Sequence, residues 1–485
     1  MFYNFSDALS HNAQRKPSHP ALIEGDREMR YAALECKVDS LAAGLQASGV
    51  IAGTVVGVAL GDTIVHVATM VAIMRVGAVL LALDVRWTVE ERRRVAAHFG
   101  ARFVVLEPGA DAVPGTTTLT VAALDRGGMP NRPVLDPDAP MLMSLSSGTT
   151  GRPKGPMLTH RQFTERTVTQ WVSIGFNEHD RYMVATPLYF GGGRGFTLSH
   201  LMLGATVVLY PPPYEPEAMV AAIRRHRVTS TFLVPTLLRR LLELPDQGAP
   251  LLGGMRILLS GGSMLHAAER AAVMRRLSPN FMNYYSSTEG GGVALLRPEH
   301  GEDKAGSVGL TVFMNEIQVV DEDDKQAPAG VVGRIRQRAP WIPAGFHNDA
   351  QASAEAFRNG WYYPGDLGKL DEDGFLTIAG RSKDMLIRGG VNIYPLEIEA
   401  VLCEHPAVVD AAVVGRPHAE LGEEPVAFVV SQAPVGAEQL ADHCRKSLAP
   451  YKIPRAFHFV DDLPKTRMGK VAKAELVERL KGMTP

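Results

Sequence analysis

The chain has 485 residues, 46% of them hydrophobic and 21% charged, and a formal net charge of −2. That length exceeds what one hydrophobic core normally serves, so two or three domains are expected in an ordinary soluble globular protein. The balanced charge argues against nucleic acid or an anionic membrane as a whole-chain partner. Cys36, Cys403 and Cys444 are widely spaced and form no metal or redox motif. With no basic-then-apolar leader, they are expected for a reducing, cytoplasmic setting.

In chain order, helical periodicity covers Tyr31 to Ser48, followed by a β-rich run from Gly53 to Leu60. Thr63 to Val76 is helical, Ala78 to Leu83 strand-like, Val89 to His98 helical and Phe103 to Leu106 a strand. The longest apolar stretch, Ile64 to Val85, is broken by His66, Arg75 and Gly77 and reads as a buried helix and strand, not a membrane span. The same alternation returns with strands at Thr206–Tyr210, Ser230–Val234 and Arg256–Ser260 and helices over Glu217–His226 and from Thr236. This βαβ rhythm predicts mostly parallel sheets with helices outside, an α/β fold. From about residue 305 short β-runs and Asp/Gly turns (315–320, 333–336, 374–378) predict a smaller β subdomain reaching 382. A compact α+β unit is expected over 383–485, with helices at Pro395–Cys403, from Glu438 and from Ala472, and strands at 408–414, 426–430 and 456–460.

Six segments carry chemistry. The first is Ser144-Leu-Ser-Ser-Gly-Thr-Thr-Gly-Arg-Pro-Lys-Gly155. Glycines let backbone N–H groups approach a phosphate, the hydroxyls of Ser146, Ser147, Thr149 and Thr150 add donors, and Lys154 adds charge. The Walker A spacing is absent, and Pro153 precedes the lysine. The others are Ser260-Gly-Gly-Ser-Met-Leu265, Tyr284-Tyr-Ser-Ser-Thr-Glu-Gly290, Gly360-Trp-Tyr-Tyr-Pro-Gly-Asp-Leu-Gly368, the run from Gly380 to Glu399, and Leu463-Pro-Lys-Thr-Arg-Met-Gly-Lys-Val471.

Read together, these segments resemble the adenylate-forming superfamily of acyl- and aryl-CoA ligases, luciferases and peptide-synthetase adenylation domains, over nearly the whole chain. The resemblance implies a large N-terminal adenylation domain (1–382) and a mobile C-terminal domain (383–485) hinged at Lys383. It implies ATP or AMP contacts from Ser146, Ser147, Gly148, Thr149, Thr150, Gly151, Lys154, Gly261, Gly262, Ser263, Tyr285, Ser286, Asp366, Ile378 and Arg381. Tyr285 is expected to stack on adenine, Asp366 to accept the ribose hydroxyls, and Thr288 to contact the α-phosphate. Thr150 and Glu289 are expected to serve Mg²⁺, which favours hard oxygen ligands. Thr288, Glu289 and Lys470 would be catalytic, and Gly389 and Gly390 would border the pantetheine path of CoA.

The implied reaction has two halves. A carboxylate attacks the α-phosphorus of ATP, releasing pyrophosphate, and the CoA thiol then attacks the acyl-adenylate, releasing AMP. The acid is expected to be medium-chain aliphatic or aromatic and to lie against Tyr189, Phe190, Gly191, Gly192, Arg194, Gly290 and Gly291. The small residues there either leave room for it or only serve turns. Arg194 is either a partner for a second carboxylate or a structural arginine. Three departures touch fine geometry: Phe190 stands where relatives often carry histidine, Tyr284 and Ser286 where glycines are common, and Pro364 where threonine is frequent. No amine-binding aspartate is recognised and no carrier domain follows Pro485, which favours CoA and a simple acid. A carrier-protein ligase and a dicarboxylate–CoA ligase remain the alternatives, and oligomeric state is open, a homodimer included.

Overall fold

The computed structural model describes residues 4–145, 154–465 and 470–482. Four sheets organise them. The largest is nine-stranded and runs, edge to edge, through strands Leu310–Thr311, Gly291–Leu296, Phe281–Ser287, Ile257–Gly261, Ser230–Leu233, Arg181–Val184, Thr206–Leu209, Pro20–Glu24 and Arg27–Arg30. Its central strands pair in parallel, and antiparallel pairs finish both edges. A six-stranded sheet is likewise parallel except for the Pro140–Met143 and Met157–Thr159 pair. Its strands Val55–Ala59, Val79–Ala82 and Phe103–Leu106 fall within the runs that the sequence marks.

The helix Ile64–Arg75 shows why an apolar run need not be a membrane span. Thr63 caps it, its side chain accepting from His66 N, and every residue of the helix except the half-buried Val65 is buried between sheet and neighbouring helices. Arg75 at its end is compensated by Glu35 and Asp39, each at 2.7 Å. Removing one partner from such an enclosed pair costs about 3–5 kcal/mol, because the other charge is left stranded. Among the described residues no helix is long and apolar enough to cross a membrane.

The glycines that open the helix Gly191–Leu203 serve no turn, one of the two readings the sequence leaves open. Glycines are poor helix formers, but at Gly193 the backbone has no room for a side chain. A Cβ on Gly193 would lie 2.2 Å from the Thr186 carbonyl oxygen. Close packing of the helix start on the preceding loop overrides propensity, and Gly204, with φ of 81°, ends the helix in the left-handed region.

The third sheet joins Glu316–Val320, Gly333–Arg338, Asp366–Leu370, Leu376–Arg381 and two short strands through residues 357–362. The fourth is built on the long hairpin of Val408–His418 with Gly422–Ser431, packed under helices Pro395–Cys403, Ala437–Arg445 and Lys473–Lys481. Between the two sheets lies only the single turn Ser382–Asp384.

Candidate active site

The C-terminal end of the central strand Phe281–Ser287 and the adjoining end of the third sheet meet at Asp366. That carboxylate is buried and opposes Arg381 directly in the antiparallel register. Arg381 Nε donates to Oδ1 at 2.7 Å, and the Tyr285 hydroxyl donates to Oδ2 at 2.5 Å. Burial and the Asp366 charge push the Tyr285 phenol well above its ordinary value, so it stays a donor. Both Asp366 oxygens therefore carry hydrogen bonds that an incoming diol would join or replace.

Glu289 follows two turns of chain away. Its Oε2 accepts from the Tyr362 hydroxyl at 3.2 Å, while Oε1 accepts no hydrogen bond among the described residues. A hard anionic oxygen with an open position fits Mg²⁺, which takes one or two protein carboxylates and completes its shell with water and phosphate. Thr288 and Glu289 are held from behind: Arg166 donates to the Thr288 carbonyl oxygen at 3.0 Å and also to that of Glu289. Trp341 Nε1 fixes the next carbonyl, Gly290, at 2.7 Å. Burial lowers the Arg166 guanidinium to about 10, with the Glu289 charge working the other way.

Lys470 reaches this cluster from the C-terminal part. Its side chain is exposed, yet desolvation by the groups around it lowers its pKa, and Arg381 and Lys383 lower it further. Asp366 and Glu289 act on it in the opposite direction, so all four charges lie around it. The structure thus brings together Tyr285, Thr288, Glu289, Asp366, Arg381 and Lys470 from segments almost 200 residues apart.

Gly261 ends its strand against the Tyr284 carbonyl, where a Cβ would sit 2.3 Å from the oxygen. Gly262 has φ of 93° and open space beside it, with exposed Ser263 next in the chain. Ser286 pairs with Gly292 just after a register shift, and Ile378 lies half-buried on the strand carrying Arg381. Lys154 Nζ stands 5.4 Å from the centre of the Phe346 ring. Ser146, Ser147, Gly148, Thr149, Thr150 and Gly151 lie outside the described residues, as does Gly469 of the lysine motif.

Farther out, Lys383 sits exposed in the connecting turn, and Gly389 and Gly390, with φ of 56° and 80°, form the tip of a two-residue hairpin. They do not touch the Asp366 cluster through any recorded contact. Around the expected acid pocket, the space beside the later glycines is taken by this protein's own side chains. A Cβ on Gly290 would fall 1.8 Å from Gln337 Nε2, on Gly291 2.9 Å from Trp341 Nε1, and on Gly292 2.1 Å from the Tyr284 hydroxyl. A Cβ on Gly192 would meet the ring of Phe232 at 3.4 Å, so a small side chain there would only touch the ring. Tyr189 stacks obliquely on Phe190 and its hydroxyl accepts from Arg86. Beside them Asp62 accepts from Leu188 N at 2.9 Å, and burial pushes its carboxyl up to about 6. Arg194 is not on the surface but almost wholly enclosed. Arg166, Trp341 and Asp62 carry no motif, and Tyr362 lies within the Gly360–Gly368 segment with no role of its own assigned there; only the folded chain places them here.

Comparison with known proteins agrees with this geometry. The family model for AMP-binding enzymes matches residues 9–347, and that for the AMP-binding enzyme C-terminal domain matches 397–470. The 2-succinylbenzoate–CoA ligase of Bacillus licheniformis is 30% identical, over 98% of this chain and 100% of its own. A feruloyl-CoA synthase of an Amycolatopsis species is 33% identical, over 96% of this chain and 97% of its own. The ATP-bound crystal structure of MatB from Rhodopseudomonas palustris superposes with a TM-score of 0.91 at 28% identity, covering 99% of each chain. The chain belongs to the AMP-binding enzymes of the adenylate-forming superfamily.

Proposed function

We propose that this AMP-forming acid–thiol ligase activates an aromatic carboxylic acid with ATP and passes the acyl group to CoA. The observation that carries the reading is the convergence of Asp366, Glu289 and Lys470 on one cleft, with Tyr285 and Arg381 already bonded to Asp366. An acceptor for a ribose diol, a carboxylate suited to a divalent cation and a mobile cation are what transfer at an α-phosphate needs.

In the first half-reaction the acid's oxygen bonds to the α-phosphorus as pyrophosphate departs with the bridging electron pair. One anion approaches another, so positive charge must gather at the reacting centre, and Lys470 supplies it. Mg²⁺, when held by Glu289, would screen phosphate charge. Asp366 orients the ribose, and Arg166 holds the Thr288–Glu289 backbone in place. In the second half-reaction the thiol sulfur bonds to the acyl carbon, the thiol proton is lost, and AMP leaves. No protein nucleophile takes part. Burial raises the Cys403 thiol to about 12 and Cys444 to about 11, which makes both poor thiolates.

An aromatic acid is favoured by the Tyr189–Phe190 ring pair and by Phe232 and Tyr284, which both pack on Phe196 of the helix Gly191–Leu203, and by relatives named for 2-succinylbenzoate and feruloyl-CoA. The glycines at 290–292 are filled from behind, which disfavours a long aliphatic chain. Arg194 gives no support to a dicarboxylate, since it is turned onto backbone carbonyls. The test is acid-dependent ATP–pyrophosphate exchange over aromatic, aliphatic and dicarboxylic acids, with and without CoA. Exchange with aromatic acids and CoA-dependent AMP release is expected. Exchange without thioester points to a carrier protein, and preference for an aliphatic or dicarboxylic acid overturns the pocket assignment.

A further inference from the structure

A row of aromatic rings leads inward from the start of the helix Gly191–Leu203. A Cβ on Gly192 would meet the Phe232 ring, Phe232 and Phe196 have ring centres 5.2 Å apart, and Phe196 lies 6.3 Å from the Tyr284 ring. Of these three only Tyr284 carries a polar atom. The residue is 5% exposed, yet its hydroxyl makes no hydrogen bond among the described residues. The next residue along the strand, Tyr285, points to the opposite face and spends its hydroxyl on Asp366.

Burial raises the Tyr284 phenol, and the Arg166 charge only opposes that rise. The group is therefore protonated at neutral pH, a donor without an acceptor. Such a group is costly in an interior, and a phenylalanine would sit between Phe196 and Gly292 without the cost. The chain also makes room for the tip of this ring. A Cβ on Gly292 would lie 2.1 Å from the Tyr284 hydroxyl oxygen and 2.9 Å from Cζ. Gly291 has a left-handed φ of 67°, whereas Gly292 does not, so the ring tip and not the chain path calls for glycine at 292.

We propose that the Tyr284 hydroxyl is a specificity determinant of the acid site, donating to an oxygen substituent on the ring of an aromatic acid at the edge remote from the reacting carboxylate. This deepens the aromatic-acid reading above and rests on it. Tyr285 and Tyr284 lie on opposite faces of one strand end, so an acid with its carboxylate at the Asp366–Glu289–Lys470 cluster and its ring along Phe232 and Phe196 brings its far edge toward Tyr284. An acceptor oxygen there pairs the phenol, whereas a methyl group of similar size leaves it unpaired and drier than before, which is how a site built around a hydrogen bond rejects an isostere. The competing role, a hydroxyl kept only to support the local packing, gives no reason to distinguish one acid from another.

The experiment is ATP–pyrophosphate exchange with 3- and 4-hydroxybenzoate and the corresponding methylbenzoates, on wild-type enzyme and Tyr284→Phe, with thermal denaturation of both unliganded proteins. Tyr284→Phe removes one oxygen and keeps the ring, so the fold is not put at risk. Wild-type enzyme should favour a hydroxybenzoate over its methyl counterpart by about tenfold or more in kcat/KM. In Tyr284→Phe the ratio should fall to within about twofold, through the KM for the hydroxy acid and not the KM for ATP. The unliganded melting temperature of the variant should equal or exceed that of wild type, because an unpaired hydroxyl has left the interior. A ratio unchanged by the substitution, an equal loss for all four acids, or a lowered melting temperature with the ratio intact overturns the proposal. Wild-type exchange with aromatic acids but no preference for a hydroxyl sinks this inference alone. Exchange confined to aliphatic or dicarboxylic acids sinks the aromatic-acid reading, and the inference falls with it.

Discussion

The Tyr285 hydroxyl donates to Asp366 Oδ2 at 2.5 Å on one side of a carboxylate that Arg381 holds on the other at 2.7 Å. The ring is thereby fixed in the plane that the carboxylate and its strand dictate. Asp366→Asn removes the acceptor charge and strands Arg381, so the KM for ATP should rise about 10- to 100-fold, in line with loss of charge-assisted hydrogen bonds. Thermal stability should move little, because Arg381 is 44% exposed and the pair is partly screened. Tyr285→Phe keeps the ring and releases one oxygen, and should stay within about fivefold of wild type by the usual value of one hydrogen bond. Pyrophosphate-exchange kinetics of both variants check the order.

Lys470 leads to a pH prediction with a definite sign. Its pKa is lowered from 10.5, by desolvation first and then by Arg381, and in the function proposed above the charged form is the one adenylation uses. The rate should therefore fall as pH rises through a value below that of an ordinary lysine. Asp366 and Glu289 raise this pKa, so Glu289→Gln should move the alkaline limb to lower pH, while Arg381→Gln should move it up. Lys470→Ala should abolish adenylation, yet spare thioester formation from a supplied acyl-adenylate. A limb that stays put in both charge variants would show that another group titrates.

Gln337 is wholly buried on the strand Gly333–Arg338, and neither of its amide atoms has a hydrogen-bond partner among the described residues. Its side chain occupies the space that a Gly290 Cβ would need. Gly290→Ala should therefore damage both stability and activity, whereas Gln337→Leu should be neutral or stabilising by about 1 kcal/mol, since an unpaired polar group leaves the interior. In the double variant Gly290→Ala, Gln337→Ala much of the loss should return. Chemical denaturation reads the coupling, and strict additivity of the two changes would refute it.

The sequence carried more of the frame than of the cleft. Helix Tyr31–Ala47 and strand Ser230–Leu233 follow from local periodicity and β-branched content, and they fall where these signals predict. The hairpin Pro20–Glu24 with Arg27–Arg30 does not, because its second strand is too polar and exposed to show alternation. Helix Gly191–Leu203 hides behind its glycines, whose reason is the close approach to Thr186. Tyr285, Glu289, Asp366 and Lys470 were legible as motif residues. Arg166 was not, and Tyr362 sat in the Gly360–Gly368 segment without a role: an arginine in a helix and a tyrosine beside the Pro-Gly-Asp turn say nothing until tertiary packing aims them at Thr288 and Glu289.

Lys383 occupies the one-turn connection Ser382–Asp384 between the strand Leu376–Arg381 and the fourth sheet. In the observed orientation a charge pair of the N-terminal part also acts on groups of the C-terminal part away from the cleft, with no ion pair joining them among the described residues. Arg239 and Glu269, 2.6 Å apart in the N-terminal part, influence Asp410 and Cys403 of the C-terminal part. Burial raises the Asp410 carboxyl, and the Arg239 charge opposes that rise. If one cleft serves two half-reactions, this interaction favours the arrangement with Lys470 inserted, and rotation about 383 must break it. Lys383→Pro removes the φ freedom the turn needs and should depress one half-reaction far more than the other. Arg239→Gln leaves the turn alone but weakens the interaction, and should lower the adenylation rate relative to thioester formation from supplied acyl-adenylate. Single-turnover measurements of both halves, on both variants, decide the matter: parallel losses would mean that the two parts act as one rigid unit.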